Sequence, residues 1–146
     1  MNRFPDEEEL PEYMARNRRV IGLAMKVHRT LGCGFTEQIY REALVIELQS
    51  AGIAFEVHPS LPVFYAEKEI GTFQADIIIE GKLIVEFKAV EALAVAHSVQ
   101  LVSYLAAAQI EHGLLLNFGA RSLQFKSKTR THASEDDFTE PPSLHS

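Results

Sequence analysis

Hydrophobic and polar positions follow two rhythms along this chain. From about Arg16 to Leu31, the residues Val20, Ile21, Ala24, Val27, His28 and Leu31 recur at helical spacing, which predicts an amphipathic helix. Leu31-Gly32-Cys33-Gly34 ends it, glycine being a common stop after a helix. A second helix runs from about Thr36, a suitable N-cap, to Gln49. Ile39, Tyr40, Ala43, Leu44, Ile46 and Leu48 make it apolar on most sides, so much of it should be buried. Ser50-Ala51-Gly52 closes it.

The rhythm changes to strands between Ile53 and Phe87. The first strand lies near Ala54–His58 or Leu61–Tyr65, with Pro59 and Pro62 limiting regular pairing. Glu67-Lys68 reads as a turn. A strand over about Ile70–Ile79, a tight turn at Glu80-Gly81 and a strand over Leu83–Lys88 then complete an antiparallel meander. Ala92–Glu111 returns to helical character, with His97, Gln100 and Tyr104 on one polar stripe. His112-Gly113 is read as its stop. Leu114–Phe118 is a short buried strand, and Ser122–Lys126 another at an edge. The order is helices, three strands, helix, further strands. It predicts an α/β (α+β) domain with a mixed central sheet flanked by helices.

Length and composition narrow the class. The chain has 146 residues, 47% hydrophobic and 23% charged, which fits one soluble domain. It has no apolar run of about 18 residues, so no membrane span is expected. The opening MNRFPDEEELPEY lacks the apolar stretch of a signal peptide. The one cysteine, Cys33, excludes an intrachain disulfide and a cysteine-rich zinc site. These features favour a cytoplasmic protein. Six histidines are present without any HxxxH or CxxC pair, which argues against a zinc hydrolase. The net charge of −6 is unevenly spread. Acidic residues crowd residues 1–12, read as an acidic lead, and 129–146, read as a disordered acidic tail. The segment 13–134, which holds the domain expected over 13–128, is nearly neutral, with basic clusters at Arg16, Arg18, Arg19 and at Arg121, Lys126, Lys128, Arg130. Such clusters are commonly solvated faces and also suit phosphate contact.

One stretch asks for a chemical explanation: Gln74 to Lys88, QADIIIEGKLIVEFK. Side chains alternate along a strand, so Glu86 and Lys88 share a face while Leu83, Val85 and Phe87 point into a core. A buried charge is costly unless it is paired or ligates a metal. Two readings follow. Asp76, Glu86 and Lys88 could be a structural ion-pair group. Alternatively, the carboxylates hold a hard divalent cation and the lysine assists a water. Magnesium takes oxygen ligands and keeps several waters, so two carboxylates and substrate phosphate suffice.

Asp76 followed by Glu86-Phe87-Lys88 resembles the D…ExK core of the PD-(D/E)XK nuclease superfamily. The proline that usually precedes the aspartate is replaced by Ala75. Gly34-Phe35-Thr36-Glu37-Gln38-Ile39-Tyr40 resembles the naming motif of the GxxExxY proteins, a branch of that superfamily. Val27–Gly32, His97–Gln100 with Tyr104-Leu105, and Leu116–Gly119 match further segments. The likeness spans roughly residues 17–126.

The resemblance implies a restriction-endonuclease-like fold and a site assembled from separate elements. Asp76, Glu86 and the backbone carbonyl of Phe87 would hold Mg²⁺, with Mn²⁺ as substitute. Glu37 would join them directly or through water. Lys88 would position the attacking water and stabilise charge on phosphate. Gln100 and Tyr104 resemble the Q-x₃-Y element of RecB-like nucleases, which orients site groups or substrate. Tyr40 and His97 are at most supporting residues. The implied activity is phosphodiester hydrolysis in nucleic acid, DNA ahead of RNA. A non-catalytic nucleic-acid-binding or protein-interaction module on the same fold is the competing expectation. The acidic ends suit a protein partner, and a homodimer would let a small nuclease grip a duplex.

Overall fold

The computed structural model describes residues 10–130. Two helices come first, α1 (Glu12–Leu31) and α2 (Glu37–Ser50). Five strands follow: β1 (Phe55–Val57), β2 (Ser60–Tyr65), β3 (Lys68–Gln74), β4 (Ile77–Ile79) and β5 (Leu83–Lys88). Helix α3 (Val95–Ala108) then leads to β6 (His112–Asn117) and β7 (Gln124–Thr129). The main sheet has the order β1-β4-β5-β6-β7, and β2 pairs only with β3. All its neighbours are antiparallel except β5 and β6. Parallel neighbours need a crossover, and α3 supplies it. A mixed sheet flanked by helices is the architecture that the hydrophobic pattern predicts.

The sheet has a core on each face. On one, Val20, Ala24 and Val27 of α1 and Tyr40, Leu44 and Leu48 of α2 meet Ile77, Ile79, Leu83, Val85, Phe87, Leu114 and Leu116. On the other, Leu101 and Leu105 of α3 cover Ile78, Ile84 and Leu115. The alternation along β5 thus turns Leu83, Val85 and Phe87 toward α1 and α2, and Ile84 toward α3.

Several boundaries differ from expectation for physical reasons. Helix α1 begins at Glu12, four residues early. Pro11 suits the position before a helix, and Glu12 joins Arg16 at i, i+4 with N–O 2.6 Å. The expected lead therefore ends in helix, while residues 1–9 lie outside the described residues. Both segments considered for the first strand are strands, but in different sheets: β1 joins the main sheet and β2 the β2–β3 ribbon. Pro62 is tolerated because a two-stranded ribbon leaves its outer edges unpaired. The expected strand Ile70–Ile79 is two strands, parted at Ala75-Asp76. There the chain leaves the ribbon, with Ala75 N–H donating to Pro59 O at 3.3 Å and His58 N–H to Asp76 O at 2.9 Å. The antiparallel trio is therefore β1, β4 and β5, with the ribbon inserted between the first two.

His112-Gly113 does not stop α3, which ends at Gln109 in the left-handed conformation (φ 56°). Gly113 belongs to β6, where a Cβ would stand 2.9 Å from Leu101 Cδ1. It marks close packing of helix on sheet rather than a helix end. Strand β7 carries the chain through Thr129, and Arg130 N–H donates to Glu111 O at 2.8 Å. The remainder of the expected tail, 131–146, lies outside the described residues. Among the described residues, no helix is long and apolar enough to cross a membrane.

Candidate active site

Strand β4 starts at Ile77, opposite Val85. Beyond that point β5 runs on without its antiparallel partner, so the ladder leaves Phe87 N–H free on that edge. Asp76, in the bend just before β4, takes it: Phe87 N–H donates to Asp76 Oδ2 at 2.8 Å. Asp76 N–H in turn donates to Glu86 Oε1 at 3.2 Å. Each carboxylate therefore accepts the backbone N–H of, or beside, the other acid. This interlock fixes both acids with backbone rather than side-chain freedom. It also corrects one expectation: Asp76 stands in the break between two strands, not within the middle strand.

Glu86 points to the α3 face and is only 7% exposed. Its carboxyl is pushed up to about 9, first by burial, next by the like charge of Asp76 and a side-chain hydrogen bond to it. Lys88, two residues along the same edge, opposes that rise but does not cancel it. Near neutral pH the acid pair thus holds a proton in the absence of a cation. Tyr104 lies beside the pair. Its hydroxyl is raised by burial and then by the charges of Glu86 and Asp76. Its ring stacks on Phe73 of the ribbon, centroids 4.4 Å apart, which ties β3 to α3 just ahead of Asp76.

The segment after Lys88 is locked to the end of β6. Lys88 pairs with Asn117, and Phe118 N–H donates to Lys88 O at 2.8 Å. The Asn117 side chain is fully buried; it accepts from Val90 N–H at 2.9 Å and Gly119 N–H at 3.0 Å, and donates to Val90 O and Gln124 Oε1, both at 2.9 Å. Gly119 must be glycine here, because a Cβ would fall 2.4 Å from the Val90 backbone. Sequence reasoning noted Asn117 and Gly119 only as part of a matching segment; their work in holding the lysine's strand end required the fold.

The remaining candidates are spread around this pair. Glu37 opens α2, exposed, and lines a cavity of about 480 Å³ with Arg41 and Ala89. Gln100 is exposed on α3, one turn before Tyr104. Among the described residues neither makes a hydrogen bond to Asp76, Glu86 or Lys88. His97 Nδ1 accepts from Ala94 N–H at 3.0 Å, so it caps α3. Tyr40 is fully buried, donates to Gly32 O at 2.5 Å and accepts from Phe35 N–H at 3.1 Å. It stacks on Phe118 at 4.6 Å and anchors the loop that leads into Glu37.

Two neighbours of Asp76 escaped the sequence reading. Arg41 Nη1 is 3.8 Å from Asp76 Oδ1, and His58 Nε2 is 4.0 Å from it. Arg41 lies four residues after Glu37, a spacing that puts both on one helix face. That signal was available; the approach of α2 to Asp76 was not. Among the described residues no group of three or more His, Cys, Asp or Glu is assembled as a metal cage. The acids present are the pair.

A family model of the PD-(D/E)XK nuclease superfamily matches residues 15–130. Among solved structures, one titled "Crystal structure of SSO0001" is similar, with a TM-score of 0.50 and 18% identity, covering 73% of this chain and 60% of that one. At that identity the likeness speaks for the fold alone. A comparison with curated proteins gives no match.

Proposed function

The chain belongs to the PD-(D/E)XK nuclease superfamily, and from that premise we propose that it is a metal-dependent nuclease, hydrolysing phosphodiester bonds in nucleic acid, DNA ahead of RNA. The observation that carries this reading is the interlocked acid pair where β4 begins and β5 nears its end, with Lys88 on the same edge. Two carboxylates held against each other in a buried place are unfavourable by themselves. A cation between them removes the reason for the proton that Glu86 holds.

The donor set fits a hard divalent ion of the kind such nucleases generally use, Mg²⁺ with Mn²⁺ as substitute. Asp76 and Glu86 would hold it with the carbonyl of Phe87, and Glu37 would reach it through water. When bound, the ion lowers the pKa of water and offsets charge growing on the phosphate. The protein's own groups do the rest. The backbone donors of Asp76 and Phe87 fix the acids in place. Lys88 orients the attacking water through Nζ and stabilises the phosphoryl oxygens. Tyr104 and Gln100, on one face of α3, orient the acid pair and the substrate. Tyr40 and the Asn117 lock keep α2 and the Lys88 strand end from shifting, which matters because small misplacements cost rate steeply.

The test is cleavage of DNA in Mg²⁺ by wild type and Asp76→Ala. The expected result is metal-dependent cleavage that falls by at least about 100-fold in the variant. Equal cleavage by the two proteins would remove Asp76 from the chemistry.

A further inference from the structure

Arg41 is the unexplained cation of this site. Its side chain is 14% exposed, close to the 7% of Arg16 in α1. The two arginines are satisfied very differently. Arg16 donates to Glu12 Oε1 at 2.6 Å and to Glu80 Oε1 at 3.2 Å. Arg41 makes no hydrogen bond among the described residues; its one ion pair, to Asp76, is loose at 3.8 Å. A guanidinium carries five N–H donors in a planar fork. Ordering such a long side chain in a half-closed place is costly, and its donors are left open to solvent rather than used within the fold.

The unmatched donors border the cavity of about 480 Å³ shared with Glu37 and Ala89, the residue after Lys88. That cavity therefore opens between the start of α2 and the end of the lysine's strand, with Asp76 beside it. The acids reject an anion there, whereas a fork of free N–H groups accepts one, and its geometry matches a phosphate's paired oxygens. We propose that Arg41 is the substrate clamp of this site, binding non-bridging oxygens of a nucleic-acid phosphodiester. In the unloaded protein it rests against Asp76 as a loose counter-charge. The proposal rests on the nuclease reading and adds to it a substrate-binding residue.

The test measures binding and cleavage for wild type, Arg41→Gln and Arg41→Lys. Labelled DNA and RNA, as duplexes and single strands, are titrated by fluorescence anisotropy across a range of salt. A Lys88→Ala background suppresses turnover during binding. Arg41→Gln is expected to weaken binding about 10- to 100-fold. It should also lower the slope of log K against log salt by about 1, the mark of one lost phosphate contact. Mn²⁺ binding, read by calorimetry, should not weaken and should tighten if anything, because a cation beside Asp76 is removed; a residue that merely holds Asp76 in place would weaken it when lost. Arg41→Lys should restore the slope, being still a cation, but only part of the affinity, having no fork. The DNA and RNA arms show which phosphodiester is gripped. Wild-type cleavage with an unchanged affinity and slope in Arg41→Gln would overturn the clamp and leave the nuclease standing. Wild type that neither binds nor cuts any of the four substrates would overturn both.

Discussion

Glu86 is a carboxylate almost out of reach of water, beside a second carboxylate, and its proton has thermodynamic consequences. The folded protein holds that proton up to about pH 9, whereas the unfolded chain releases it near the ordinary value of 4.5. Between those limits the folded state binds more protons, so stability falls as pH rises. Glu86→Gln removes this dependence. In EDTA, the melting temperature of wild type is expected to fall from pH 5 to pH 9, while that of Glu86→Gln stays flatter. At pH 8 the variant should melt at least about 3 °C higher, a shift worth about 1 kcal/mol in a domain of this size. A variant that melts lower than wild type at pH 8 would mean that the acid stabilises the fold. The pairing of Glu86 with Lys88 on one face was legible from the strand's period of two. The approach of Arg41 and His58 to Asp76 was not, because it joins residues 35 and 18 positions apart through tertiary packing.

At the scale of elements, the site depends on where strands stop. Strand β4 begins only at Ile77, which leaves Phe87 N–H for Asp76, and β6 ends at Asn117, whose amide holds the chain after Lys88. Periodicity located α1, α2, β5 and α3 well because each has a long apolar stripe. It merged β3 with β4 because Ile70, Phe73, Ile77 and Ile79 read as one apolar run. The break at Ala75-Asp76 comes from pairing with the His58-Pro59 segment, which no local pattern encodes. Asn117→Ala should leave the N–H and C=O of Val90 without their partner in a half-buried place. A loss of about 2–4 kcal/mol in urea unfolding is expected, with a fall in cleavage from the displaced Lys88 end. Undiminished stability would show that the amide's four hydrogen bonds are replaceable by water.

The whole molecule is acidic, yet the described region is not. Residues 10–130 contain 13 basic and 12 acidic residues, while the full chain has 14 and 20. The excess acid lies in the segments outside that region, and acid repels phosphate. Protein trimmed to residues 10–130 is expected to bind DNA at least as tightly as the full chain and to cut it as fast, measured side by side at low salt. Weaker binding after trimming would give those segments a part in substrate capture. Family membership was legible in the sequence because its motif residues are short and ordered along the chain. The cavity at Glu37 and Arg41 was not, because it exists only where α2 meets the strand ends. The most direct measurement is a cleavage panel of single- and double-stranded DNA and RNA, in Mg²⁺, Mn²⁺ or EDTA, comparing wild type with Lys88→Ala. Cleavage by wild type that requires the metal and is lost in the variant is the predicted result. No cleavage under any condition, or equal cleavage by both proteins, would contradict the assignment of Asp76, Glu86 and Lys88 as a nuclease site.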